Sequence, residues 1–252
     1  MFTGIGLIAF CCIFGAGLIG LALRNWLPES HRTEATQKAV QTTMNVVAIL
    51  AALVLGLLIV STKTNFDTRS QEIETFSANL TLLDRELAHF GPVSRDIATL
   101  LRAFTTQKIT QTWRSDRGST PVADQIQTAR MLDDIEDRLR ALTPPDEVQR
   151  AARTNALHLT GELKRTSRLL SVQQSSEMPR PFLIAVIFWV SVLFLSFTIF
   201  APSNATVIAT IFIGALSVAI AVNLIFDMDQ PFSGFVRISP LPMQQAVDRM
   251  AP

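Results

Sequence analysis

Residues 182–200 read FLIAVIFWVSVLFLSFTIF and residues 205–226 read ATVIATIFIGALSVAIAVNLIF, with only Ala201-Pro202-Ser203-Asn204 between them. Neither run contains Lys, Arg, Asp or Glu. A helix rises 1.5 Å per residue, so about 20 such residues cross the hydrocarbon core of a bilayer with every backbone group bonded internally. Four linking residues permit only a tight reversal, and the pair therefore predicts a transmembrane hairpin. Two further uncharged runs, residues 4–23 and 44–60, predict a second pair near the N-terminus. The chain of 252 residues is 48% hydrophobic and only 17% charged, which argues against an ordinary water-soluble domain. Its first expected partner is the lipid bilayer.

The run at residues 4–23 lacks the positive start of a secretory signal and is followed at once by Arg24, so it is expected to be a retained helix. A formal net charge of +1 leaves no basic surplus to point to nucleic acid. Cys11 and Cys12 stand side by side in the first apolar run and read as small packing residues. His31, His89 and His158 are far apart, at no ligand spacing, so neither a metal nor a cofactor is expected. No G-x-S-x-G, HExxH, P-loop or dinucleotide glycine pattern appears, tyrosine is absent, and the apolar runs carry no charge; the chain is not read as an enzyme.

Between the apolar pairs lies a polar region, residues 61–181, whose spacing is helical. Ile73, Phe76, Leu80, Leu83, Leu87 and Phe90 recur three and four apart, a seam that one helix presents to another. Gly91-Pro92 interrupts it, and a helix carrying Ile97, Leu101, Phe104 and Lys108 on one side follows and fades near Trp113. Ser115 to Pro121 is a loop by composition. A third helix, Val122 to Leu142, would turn Ile126, Leu132, Ile135, Leu139 and Leu142 inward and Asp133, Asp134, Glu136 and Asp137 mostly outward. That acidic run lacks the pattern of a calcium loop. Thr143-Pro144-Pro145 stops it, and a fourth helix from about Asp146 would bring Val148, Ala152, Leu159, Leu163 and Leu170 to one face. Alternating β-branched residues are missing throughout. The expected organisation is a first transmembrane pair (1–60), a helical extramembrane bundle (61–181), a second transmembrane hairpin (182–226), and a turn with a C-terminal tail (227–252) holding a short amphipathic run at Met243, Ala246, Val247 and Met250.

This layout, two spans plus two around a helical bundle, resembles the bestrophin-like family of membrane proteins. The motifs that carry the resemblance are Leu27-Pro28-Glu29, the Gly56-Leu57-Leu58 end of the second span, and Asp229-Gln230-Pro231-Phe232-Ser233-Gly234 with Arg237 to Pro242 after it. The resemblance implies an all-α, bestrophin-like fold. Bestrophins are pentameric anion channels with a Pro-Phe-Gly turn after the last span, and animal members add an acidic calcium clasp. This chain inserts Ser233 between Phe232 and Gly234 and lacks the long acidic run, so calcium gating is not expected here. By resemblance it is a homo-oligomer, a pentamer, in a bacterial inner membrane, with small ions as partners if it conducts.

A channel of this kind needs an oligomer, since four helices cannot surround water and also bury their own polar groups. The second span is the candidate pore helix. Ile49, Leu53, Leu57 and Val60 would form an apolar constriction, or face lipid, and Asn45 and Asn223 would line water or bond a neighbouring helix. Ala48, Ala52 and Gly56, spaced by four, form a stripe where another backbone can approach, or simply reflect how common small residues are in membrane helices. The alternative function is a non-conducting scaffold or sensor whose bundle binds a partner protein. In the turn, Pro231 cannot continue the helix and Phe232 is placed to anchor under the bundle. Asp227 and Asp229 would accept backbone hydrogen bonds, pair with Arg180 or Lys63, or hold a cation, and Gly234 closes the turn. Eight Lys and Arg (Lys63, Arg69, Lys164, Arg165, Arg168, Arg180, Arg237, Arg249) lie on the bundle side near the spans, against three (Arg24, Arg32, Lys38) on the other. That asymmetry places the bundle in the cytoplasm, although the first helix alone, with Arg24 after it, argues the opposite way.

Overall fold

The computed structural model describes residues 4–26, 28, 33–113, 122–173, 180–232 and 236–250, and every regular element among them is a helix. In chain order these are α1 (Gly4–Leu23), a 3₁₀ turn (Arg24–Trp26), α2 (Glu34–Ala88), a second 3₁₀ turn (Gly91–Ser94), α3 (Arg95–Thr112), α4 (Val122–Ala141), α5 (Glu147–Gln173), α6 (Arg180–Thr198), α7 (Ala205–Asp229) and α8 (Leu241–Arg249). Leu27 and Glu29 of the first motif, the loop expected at residues 115–121, and Gly234 lie outside the described residues.

The chain divides into two compact units, Met1–Asn65 with Met178–Gln230, and Phe66–Glu177 with Pro231–Pro252. These bounds depart from the expected ones by a few residues for a definite reason. The apolar run at 44–60 is the middle of α2, an extended helix 55 residues long that continues past Val60, and α7 continues through Asp227 to Asp229 before it ends.

In the first unit α1 packs against both α6 and α7. Glycine makes the approach possible: a Cβ on Gly20 would stand 2.5 Å from the Leu195 carbonyl oxygen, and one on Gly17 2.6 Å from Ile211. Ile13, Val186, Val190 and Ala215 form the buried centre, with Val54, Leu55 and Leu58 of α2 packed on it. Phe10 stacks on Phe14, and both meet Phe212 edge-on. Arg24 donates to the Ala201 carbonyl at 3.0 Å, and Asn204 caps α7 by accepting from the Val207 N–H at 2.9 Å. All four helices that are long and apolar enough to cross a membrane belong to this unit or, for α2, pass through it.

The second unit is built on the expected seam: Ile73, Phe76, Leu80, Leu83 and Leu87 are buried with Ile97, Leu101, Phe104, Leu132, Ile135 and Leu139. Gly91 takes φ +61°, the left-handed region open to glycine, and so lets the chain turn where α2 ends. Ser94 fixes the turn by donating to the Leu87 and Gly91 carbonyls at 2.7 and 3.0 Å. Two apolar residues expected inside are instead exposed, Ile126 at 48% and Val148 at 67%. Each stands near the start of its helix, before the packed turns, and on α5 the inward stripe is completed by Ala156 rather than Val148. The tail returns as α8 and packs on α3, burying Met243, Ala246 and Met250.

Candidate functional site

Two features of the first unit stand out for chemistry: the outer face of α2 and the polar end of α7. The residues Val54, Leu55 and Leu58 turn one side of α2 onto the α1–α6–α7 core. The other side is uncovered. Ile49, Leu53, Leu57 and Val60 are 69, 59, 62 and 64% exposed, and Asn45 at the start of the same stretch is exposed as well. Only 6% of the apolar window of α2 is buried, against 33, 28 and 22% for α1, α6 and α7. Within one protomer, then, the helix that reaches into both units is the one whose apolar surface is left open.

The small-residue stripe lies on α2 partly within this open surface. Ala52 and Gly56 are exposed and Ala48 half-buried, and a Cβ on Gly56 would meet nothing within 4 Å. Among the described residues α1 approaches its neighbours closely through Gly6, Gly17 and Gly20, as α7 does through Gly214 against Phe194. Spacing alone did not single out the three on α1, because they stand 11 and 3 apart instead of at a regular four.

At its end α7 carries Asn223 and Asp227 one turn apart, with the Asn223 Nδ2 amide donating to Asp227 Oδ2 at 3.3 Å. Asp227 is 3% exposed. Gly6 of α1 lies directly against Asn223, so that a Cβ there would come within 2.8 Å of Asn223 Oδ1. A buried carboxylate at the end of a span needs such donors, because an uncompensated charge would be expelled or neutralised. This same-helix amide is a partner that the acidic spacing did not reveal. The Arg180 side chain lies outside the described residues. No cluster of three metal-ligating side chains is present among the described residues.

The turn itself belongs to the second unit from Pro231 onward. Gln230 ends α7 with φ −111° and ψ 69°, its N–H bonding the Asp227 carbonyl. Pro231 is buried, and its carbonyl accepts from the Ile238 N–H at 2.7 Å. Phe232 meets Trp113 edge-on at 5.6 Å between centroids, and the Trp113 indole donates to the Ile238 carbonyl at 2.8 Å. Phe232 thus packs, half-buried, against the bundle core. Trp113 is the partner that the fading helical pattern hid. In the same unit, Lys164 of α5 is held by Asp133, at 2.6 Å, and by Glu136 of α4. Its hydrogen bond to Lys164 pulls the Glu136 carboxyl below its ordinary value.

Comparison with known proteins bears on this geometry. A model of the bestrophin-like domain matches residues 11–243. No curated protein sequence matches the chain. Among solved structures, a bacterial bestrophin homologue from Klebsiella pneumoniae carrying an isoleucine-to-threonine substitution is similar over 97% of this chain and 98% of its own, with a TM-score of 0.72 and 13% identity. The same homologue with a tryptophan-to-alanine substitution is similar over 99% and 96%, with a TM-score of 0.70 and 14% identity. A structure described only as a membrane protein, with a glycine-to-alanine substitution, is similar over 97% and 95%, with a TM-score of 0.71 and 13% identity. At these identities the likeness establishes the fold. The family match spans nearly the whole chain.

Proposed function

We propose that this protein, which belongs to the bestrophin-like family and is an integral membrane protein with four apolar helices, assembles as a homo-oligomer in which the α2 helices line an ion path. The observation that carries the reading is the open face of α2. A helix whose apolar residues are covered on one side and bare on the other must meet lipid, water or a second copy. Asn45 supplies an amide at one end of this face, and Ile49, Leu53, Leu57 and Val60 supply an apolar constriction that would gate by shedding water. Family resemblance favours five copies and anions as the permeant species, and the Lys and Arg distribution favours a cytoplasmic bundle in a bacterial inner membrane.

The small residues Ala48, Ala52 and Gly56 serve, in this reading, as the surface along which α2 approaches a neighbouring helix. The turn from Asp227 through Pro231 and Phe232 to Gly234 serves as the link between the last span and the bundle. A scaffold that binds a partner protein has the same helical seam but needs no uncovered polar residue at the head of α2. Planar-bilayer recording of the purified protein, with chloride at different concentrations on the two sides, tests the proposal together with subunit counting by mass. Discrete currents reversing towards the chloride potential, from a pentamer, are expected. A well-folded oligomer that passes no current would favour the scaffold.

A further inference from the structure

The geometry points to a phosphate-binding groove on the second unit, on the face of α5 formed by Gly161, Lys164, Arg165, Arg168 and Leu169. These residues, all on one helix, line an open surface depression of about 490 Å³. They follow from helical spacing: 161, 165 and 168 fall on one side of α5, while Ala156, Leu163 and Leu170 take the core side. The depression is open at residue 161, which has no side chain and where an added Cβ would meet nothing within 4 Å. Leu169, 43% exposed, gives one wall an apolar shelf.

The charges in the groove are not equivalent. Lys164 is engaged by Asp133 and Glu136, and Glu136 also holds Arg140. Arg165 and Arg168 are exposed, and neither has a hydrogen bond or ion pair to an acid among the described residues. Two guanidiniums three residues apart on one helix face offer paired N–H forks, the geometry that matches phosphate oxygens in a bidentate manner. The ligand chemistry is therefore a phosphate group beside a modest apolar surface. Phospholipid headgroups and soluble phosphate esters share it. Arg168 precedes the start of the α6 span by only 12 residues, where a basic cluster is suited to an anionic headgroup. The inference is independent of whether the chain conducts.

Native mass spectrometry of the full-length protein in detergent tests it, with phosphatidylglycerol, phosphatidylcholine and inorganic pyrophosphate as separate probes. The parent should retain phosphatidylglycerol about tenfold or more over phosphatidylcholine, the scale of one charge-assisted hydrogen bond. Arg165→Gln with Arg168→Gln should abolish that preference, and Gly161→Leu should reduce it without changing charge, since the new side chain fills open space. Arg95→Gln with Arg150→Gln, matched in charge, should leave it intact. Pyrophosphate retention with the same pattern of losses, and no lipid preference, would assign the site to a soluble phosphate ester. Equal retention by the parent and both groove variants, or equal loss in the Arg95 and Arg150 control, would overturn the site. Dissociation of the oligomer by the groove variants without any phosphate preference in the parent would also overturn it and assign the face to a second copy.

Discussion

Gly20 and Gly56 are both glycines in membrane-spanning helices, yet a methyl group added at each meets opposite circumstances. At Gly20 it would press on the backbone oxygen of Leu195, which has no rotamer to give, whereas at Gly56 it enters open space. Gly20→Ala should therefore loosen the α1–α6 contact and lower stability by about 1–3 kcal/mol, the usual range for overpacking. Thermal unfolding in detergent reads that loss. Gly56→Ala should leave the unfolding temperature of the protomer unchanged, so that any effect it has on oligomer size reports a contact between copies. Lys108 makes a second test at this scale. Only 6% exposed, its ammonium is pushed down from 10.5 to about 8 by burial. A lysine whose folded value lies below its unfolded one weakens the fold fully below about pH 8, and the penalty fades as pH rises towards 10.5. Lys108→Met should thus raise stability at pH 7 by up to about 3 kcal/mol, with the difference vanishing near pH 10.5. A pH-independent difference in unfolding temperature would show that the charge of Lys108 is not the cause.

At the scale of elements, α2 and the turn after α7 carry the functional argument. Replacing Ala52 by Leu adds bulk to an exposed small-residue position and should weaken assembly while leaving the protomer folded; an unchanged oligomer mass in both detergent and lipid would remove the stripe as an interface. Pro231→Ala and Trp113→Phe address the turn. The first frees the chain to prolong α7, and the second removes the indole donor to Ile238 while keeping a ring against Phe232. Both should alter conductance without preventing insertion, and Trp113→Phe should cost about 1 kcal/mol of stability, the value of one net hydrogen bond. Much of this was legible from residues alone. The seam from Ile73 to Phe90 and the break at Gly91-Pro92 both follow from spacing and from what proline cannot do. What spacing could not reveal depends on neighbours distant in sequence. Ile126 and Val148 obey the helical period but lie near helix starts with nothing to pack on, Trp113 finds its acceptor 125 residues away, and Asn223 is pressed by a glycine of α1.

For the whole molecule, the decisive quantity is how much apolar surface one copy leaves uncovered and where. The exposed apolar residues of α1, α6 and α7 are dispersed around an internally packed trio, as expected of helices that face lipid. Those of α2 form a broad face in which Ile49, Leu53, Leu57 and Val60 stand with Val46 and Leu50, headed by Asn45. If copies gather with these faces towards a shared axis, Ile49, Leu53, Leu57 and Val60 face water in the open state, whereas Val54, Leu55 and Leu58, turned to the core of their own protomer, do not. Cysteine accessibility measures this directly. In a parent with Cys11 and Cys12 replaced by alanine, cysteine is placed singly at residues 49 to 60, and a charged, water-soluble thiol reagent is applied during bilayer recording. The account predicts that current is blocked at Ile49→Cys, Leu53→Cys, Leu57→Cys and Val60→Cys, and unaffected at Val54→Cys, Leu55→Cys and Leu58→Cys, which pack into the protomer. Current that persists after treatment at all four exposed positions, or block that follows the three core-facing ones, would contradict an ion path lined by α2.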